Sequence, residues 1–323
     1  MCTQCFPSKQ KHASAIDAPE ALAPNPPPEG DITLSGPQHN TSETALHPST
    51  RNPVVLCVAP NGARRTPTDH PALPLTGPEI AREASRCMEA GASVIHLHVR
   101  DRSGAHTLDV DQYKDVITQV KSAVRDHMVI QVTTEAVGRY QPQEQMAVVR
   151  TLRPTAASVA LRELVPDETH LSQASAFFVW AATHGVALQF IVYSPDEAVE
   201  LQALARRGAL GCDSPNTLFV LGRYTAGQRS QATDLLPFLA DWPSTASWSV
   251  CAFGPTEAQC ATAAIGLGGH ARVGFENNLF DASGSLADHN AQLVSNVADV
   301  SRRSGRGVAT ADQARSIFGV TQA

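Results

Sequence analysis

Residues 95–101 read Ile-His-Leu-His-Val-Arg-Asp, the stretch of this chain richest in side chains that do chemistry. Along a β-strand, side chains i and i+2 point to one face, so His96 and His98 project together while Leu97 and Val99 face away. Two imidazoles at a strand end can supply two ligands of a divalent metal, which then needs a third from elsewhere. The alternative is a pair of polar core histidines, each hydrogen-bonded to backbone. Glu276, in Phe275-Glu276-Asn277-Asn278, is a third ligand of suitable type. Two imidazoles and one carboxylate with positions left open describe a catalytic metal site, and zinc (Zn2+) is the default ion. The alternative for Glu276 is a capping or ion-paired carboxylate. Arg272 stands four residues earlier on the same strand and so shares the face of Glu276, and an inward arginine there needs an anion nearby, either a substrate carboxylate or an acidic side chain. Arg64, Arg65, Arg162 and Arg223 follow other apolar segments, where a cluster of guanidiniums suggests an anionic ligand and solvated loop arginines are the alternative.

The elements that must position these groups begin near residue 54. Strand-like runs at 54–58, 93–99, 128–134, 156–161, 188–193, 217–221, 247–251 and 271–275 alternate with helix-like segments. Helices are predicted at 76–89, 109–124, 142–152, 171–184, from 195, 231–239, 256–266, 285–303 and 310–318. Thr76-Gly77-Pro78-Glu79 has the N-cap, proline and acidic first turn of a helix start. Eight strands alternating with helices argue for an α/β fold, the parallel eight-stranded (β/α)8 TIM barrel. A doubly wound sheet is the second choice, but Pro60-Asn61-Gly62-Ala63-Arg64 is not the glycine-rich phosphate fingerprint it wants.

In such a barrel the active site forms at the C-terminal strand ends. That rule gathers Asn61 and Arg64, then His96, His98, Arg100 and Asp101, then Gln131, Thr133, Thr134 and Glu135. Ser158, Arg162 and Glu163 follow, then Arg223, and last Arg272, Glu276, Asn277 and Asn278. Closure pairs the eighth strand with the first, which puts Glu276 two strands from the histidines. His270, at the start of the eighth strand, belongs at the opposite end and is not a ligand. His70, His106, His170, His184 and His289 have no evident partner and read as surface or core residues.

Composition bounds the function. The chain has 323 residues, is 42% hydrophobic and 17% charged, and carries a net charge of −6. It shows no basic run, which argues against nucleic acid as a partner. No apolar stretch approaches the roughly 18 residues of a membrane span. Cys57, Cys87, Cys251 and Cys260 lie in apolar segments and read as reduced core residues of a cytoplasmic protein. Residues 1–50 are rich in Pro, Ser and Ala and are expected to be a disordered tail, with 51–323 the catalytic domain. The tail has no signal-peptide core, its acidic residues argue against organellar targeting, and the Cys2-x-x-Cys5 pair lacks a second pair for zinc.

Taken together the motifs resemble the beta-keto acid cleavage enzyme family over about residues 53–320. The resemblance is carried by Glu89-Ala90-Gly91-Ala92 before the His-x-His segment, Gln131-Val132-Thr133-Thr134, Phe219-Val220-Leu221-Gly222 and 268–278 from Gly268-Gly269-His270 to Asn277-Asn278. It continues through Asn290-Ala291-Gln292-Leu293-Val294 and 309–315. It implies a zinc-dependent barrel that reacts a beta-keto acid with acetyl-CoA, giving acetoacetate and a new acyl-CoA by retro-Claisen cleavage. It further implies a homo-oligomer, a tetramer in the family. The family's metal ligands match His96, His98 and Glu276, its substrate-contacting hydroxyls match Thr133 and Ser158, and its active-site arginine matches Arg272.

Three departures stand out. The type member has Asp after its metal-binding Glu, proposed as a base, whereas Asn277 cannot take a proton. Glu135 or Glu163, or a water, must serve instead, or the step is not needed. An acidic residue that meets the type member's substrate amine is replaced by Arg64, which should favour an anionic or polar distal group. Ala160 and Glu135-Ala136 replace an Asn and a Gly-Gly. Two other readings stay open: a CoA-independent zinc aldolase or hydrolase, and a metal-binding barrel without catalysis.

Overall fold

The computed structural model describes residues 52–320. The stretch expected to be disordered and the Cys2-x-x-Cys5 pair lie outside the described residues.

Ten strands are present: β1 (Leu56–Val58), β2 (Val94–Leu97), β3 (Val99–Arg100), β4 (His106–Thr107), β5 (Val129–Thr133), β6 (Ala156–Ala160), β7 (Ala187–Val192), β8 (Asn216–Leu221), β9 (Trp248–Ala252) and β10 (His270–Val273). Eight of them close a barrel in the order β1-β2-β5-β6-β7-β8-β9-β10, with β10 returning to β1. Every pairing around it is parallel. Helices connect the strands, as parallel crossovers require, and the (β/α)8 barrel expected from the alternation is the fold. Strands buried on both faces read as near-continuous apolar runs, which is why their positions were visible without a clean polar alternation.

The period of two still sorts the barrel into layers. Leu56, Val58, Ile95, Leu97, Val132, Val159, Phe190, Val192 and Phe219 face outward into the layer between strands and helices. Inside, Val55, Cys57, Val94, Val129 and Ala156 pack with Phe318 and Val320, so the last helix (Ala311–Phe318) plugs the lower end. Above this plug the interior turns polar: His96, Gln131, Ser158, Gln189, Asn216, Ser249 and Arg272 are all buried.

Three local departures from expectation matter for the site. β2 ends at Leu97, so His98 stands just past the strand, and 99–107 fold into the small β3–β4 hairpin. β10 ends at Val273 because Gly274 adopts φ 133 where a Cβ would lie 2.5 Å from Ala59 O, a conformation that suits glycine. The helix expected from residue 285 begins at Asn290. Before it, Asp281 accepts from the backbone N–H of Ser283 and Ser285, holding a turn instead.

Candidate active site

His96, His98 and Glu276 converge as the alternation and barrel closure predict. His96 Nε2 lies 3.0 Å from His98 Nε2, and Glu276 Oε2 lies 3.2 Å from His98 Nε2 and 3.8 Å from His96 Nε2. Metal–ligand bonds of about 2.0–2.1 Å in a tetrahedral shell place neighbouring ligand atoms roughly 3.3 Å apart. These three atoms are therefore spaced as one face of such a shell, and they form a group that could hold a metal ion. Glu276 Oε2 has no hydrogen-bond partner and is buried, an orphaned acceptor that a cation would satisfy.

Protonation fits the same role. His96 Nδ1 is 2.8 Å from Gln131 Oε1, a carboxamide oxygen that only accepts, so Nδ1 carries the proton and Nε2 turns its lone pair inward. Gln131 Nε2 donates to Gln189 Oε1, and Gln189 Nε2 to Asn216 Oδ1, each at 3.2 Å, so a row of amides across three strands fixes that orientation. Burial, helped by the Arg272 charge, holds His96 well below the ordinary imidazole range and keeps it neutral. Desolvation opposes the charge on Glu276, but Arg272 and the two imidazoles hold its carboxyl well below the carboxylate norm. Gly62 (φ 62) passes so close that a Cβ there would sit 2.6 Å from Glu276 Cγ.

Arg272 lies low in the barrel between β1 and β9, level with Cys57 and Cys251. Its Nη2 reaches Cys251 Sγ at 3.1 Å, Glu276 Oε1 at 3.3 Å and Asn277 Oδ1 at 3.4 Å. Arg272 Nε and Nη1 have no partner although buried, and the residue lines the central cavity. Arg272 and Glu276 were expected to share a face of one strand. They do meet, but through the turn after Gly274. Burial raises both thiols to about 12, so Cys57 and Cys251 are neutral packing groups, and both are free and buried as expected.

Thr133, Ser158, Glu135 and Glu163 line the same cavity as the metal candidates and Arg272. Ser158 Oγ is buried without a partner. Thr133 Oγ1 accepts from Glu135 N, which leaves its proton free. Glu163 is pushed upward by burial and accepts from Ala136 N and Gln145 Nε2. Glu135 stands at the mouth, its Oε1 3.5 Å from Arg223 and 3.9 Å from Arg64. A cleft of about 210 Å³ there is lined by Arg64, Arg65, Arg223, Glu135 and Glu276.

Arg162 goes elsewhere. It sits on the single helical turn Leu161–Leu164, pairs with Glu197 and stacks on Tyr193 and Tyr224, so it does not line the cavity. Asn277 is buried outside the cavity lining, its side chain reaching the site through Arg272 Nη2. Two further residues support the site: His106, expected to have no partner, and the strand-end candidate Arg100. The β3–β4 hairpin brings His106 back over His98, with ring centroids 5.3 Å apart, and His106 Nε2 donates to Glu135 O. Arg100 donates to Gly62 O and Arg65 O, tying the loop that carries Arg64 to the strand end. His270 accepts from Val55 N at the opposite end of the barrel, as expected. Among the described residues no helix is long and apolar enough to cross a membrane.

A family profile described as beta-keto acid cleavage enzyme matches residues 53–320. The chain is 32% identical over 275 residues to the 3-keto-5-aminohexanoate cleavage enzyme of Fusobacterium nucleatum, covering 82% of this chain and 97% of that one. It is 29% identical over 276 residues to the 3-oxoadipate:acetyl-CoA acetyltransferase of Cupriavidus necator, covering 83% and 95%. Among solved structures, that of apo ObcA matches with a TM-score of 0.63 at 19% identity, over 77% of this chain and 66% of the other, a likeness of fold.

Proposed function

Since the chain belongs to the beta-keto acid cleavage enzyme family, we propose that it exchanges acyl groups between a beta-keto acid and acetyl-CoA. The C2–C3 bond of the keto acid breaks. Its carboxymethyl part joins the acetyl group as acetoacetate, and the remaining acyl group leaves on the CoA sulfur. The observation that carries this reading is the shared cavity. His96, His98 and Glu276, with three spaced donor atoms, line the same space as Arg272, two of whose guanidinium nitrogens are unpartnered.

His96, His98 and Glu276 would hold the metal, and their donor set suits zinc. Bound there, the ion would polarise the keto oxygen and stabilise charge as the C–C bond breaks. Arg272 keeps Nε and Nη1 unpartnered, and a buried guanidinium with donors to spare calls for an anion such as the substrate carboxylate. The hydroxyls of Ser158 and Thr133 have protons to donate to substrate oxygens. Glu135 and Glu163 line the cavity and can take a proton that Asn277 cannot.

The distal group of the substrate is read from the mouth. Arg64 and Arg223 share one carboxylate, Glu135, so two guanidiniums face one acid at that point of the mouth, while Arg65, Asp69 and Glu276 line the cleft beside them. That favours an anionic or polar distal group, and the Cupriavidus relative is named for 3-oxoadipate, a dicarboxylic beta-keto acid.

The test is a panel of beta-keto acids with cationic, neutral and carboxylate distal ends, assayed with and without acetyl-CoA on protein of measured metal content. Acetoacetate should form only with acetyl-CoA, fastest from a carboxylate-ended member, and cease on chelation. Equal consumption of keto acid without acetyl-CoA would instead establish the CoA-independent aldolase or hydrolase.

A further inference from the structure

Behind the cavity, outside its lining, lies a carboxylate that the proposed reaction does not use. Glu257 opens the helix Glu257–Gly266 and is 2% exposed. Its Oε1 accepts from Gly274 N at 3.1 Å and from Asn277 Nδ2 at 3.4 Å, and its Oε2 accepts from Asn278 Nδ2 at 3.4 Å. All three partners donate, the surroundings of an ionised carboxylate, and the first turn of a helix favours the negative charge. Burial pushes its carboxyl up to about 8, with these donors and Arg272 pulling the other way.

Asn277 connects this acid to the substrate arginine. Its Nδ2 faces Glu257 while its Oδ1 accepts from Arg272 Nη2 at 3.4 Å. Only one amide orientation works, because the guanidinium has no lone pair to offer and Nδ2 finds acceptors in both Glu257 Oε1 and Arg272 O. Nδ2 has these two acceptors each at 3.4 Å, and losing the one at 257 would loosen the amide and with it the Oδ1 contact that holds Arg272 Nη2.

We propose that Glu257 is a positioning residue for substrate binding, acting through Asn277 to fix the Arg272 guanidinium. Positions 257 and 277 hold one carboxyl and one amide between them, with the acid at 257 and the amide at 277. Two acids would set like charges face to face at about the present 3.4 Å, and one would have to take a proton. Two amides would remove the carboxylate to which Asn277 Nδ2 donates. Exchanging them restores one acid and one amide.

This inference rests on Arg272 anchoring the substrate, so the test keeps the two questions apart. Full-length Glu257→Gln, Asn277→Asp and the double exchange are compared with wild type for KM and kcat on the best substrate of the panel. Metal content and melting temperature are measured on each. Each single change should raise KM at least about fivefold with metal content unchanged, and the double exchange should return it to within about threefold of wild type. A double variant as poor as the product of the two singles overturns the proposal, as does Glu257→Gln with unaltered KM. Should wild type turn over no beta-keto acid, the proposed reaction fails by itself. The affinity for acetoacetate, measured by calorimetry on the same four proteins, then decides this pairing, and equal affinity in all four, or none in any, overturns it.

Discussion

Gln131 Oε1 lies 2.8 Å from His96 Nδ1, and this pair decides which nitrogen of His96 faces the cavity. With Nδ1 protonated, Nε2 offers its lone pair to the cavity, 3.0 Å from His98 Nε2. Gln131 is held in turn by Gln189 and Gln189 by Asn216. A polar row of this kind inside a barrel is costly unless every member is partnered, and here the partnering ends in an oriented imidazole.

Gln131→Ala should therefore weaken metal binding by about 10–100-fold while leaving the fold in place. Competition with a chelator of known affinity measures it. Unchanged affinity would mean that the two histidines are oriented without the amide row.

Much of this site was legible in the chain before any fold was known. The i, i+2 spacing of His96 and His98 put both imidazoles on one side, and counting eight strands made Glu276 their near neighbour. What could not be read depends on side-chain direction after a short element. Arg162 follows a strand like the other arginines, but one helical turn swings it to Glu197. His106 returns to His98 on paired strands of two residues each, too short to carry a pattern. Glu257 looks like any acidic residue in a first helical turn, and only the turn at 274–278 folding over it buries it.

Arg64 tests the charge of the mouth. Its side chain is 58% exposed and 3.9 Å from Glu135, so its effect on substrates should be moderate. Arg64→Glu should lower kcat/KM for carboxylate-ended beta-keto acids about fivefold and raise it for amine-ended ones, with the acetyl-CoA KM as control. An unchanged substrate profile removes Arg64 from recognition.

His270 tests the lower barrel. Its Nδ1 accepts from Val55 N, and burial first, then the Arg306 charge, lowers its pKa from an ordinary 6.5 to about 4. The unfolded chain thus binds the extra proton between pH 6.5 and 4. The associated stability is complete above 6.5 and is lost as pH falls towards 4, about 2 kcal/mol of it by pH 5. His106, lowered to about 3, adds to the same slope. His270→Asn keeps an acceptor for Val55 N without titrating. It should flatten the fall in melting temperature over this window, and a slope equal to wild type would show that His270 does not drive it.

Gly62 ties the first barrel loop to Glu276. At φ 62 it occupies the left-handed region, and an added Cβ would meet Glu276 Cγ at 2.6 Å and Cβ at 3.0 Å. The loop cannot retreat easily, because Arg100 grips Gly62 O through Nε at 3.1 Å and Nη2 at 2.6 Å. The carboxylate must then give way, moving Oε2 from its place 3.2 Å from His98 Nε2. Gly62→Ala should cost only about 1 kcal/mol of stability from backbone strain, yet leave the protein with far less bound metal. Elemental analysis beside thermal unfolding separates the two effects. Full metal occupancy in a folded Gly62→Ala protein would show that Glu276 tolerates the displacement or is not a ligand.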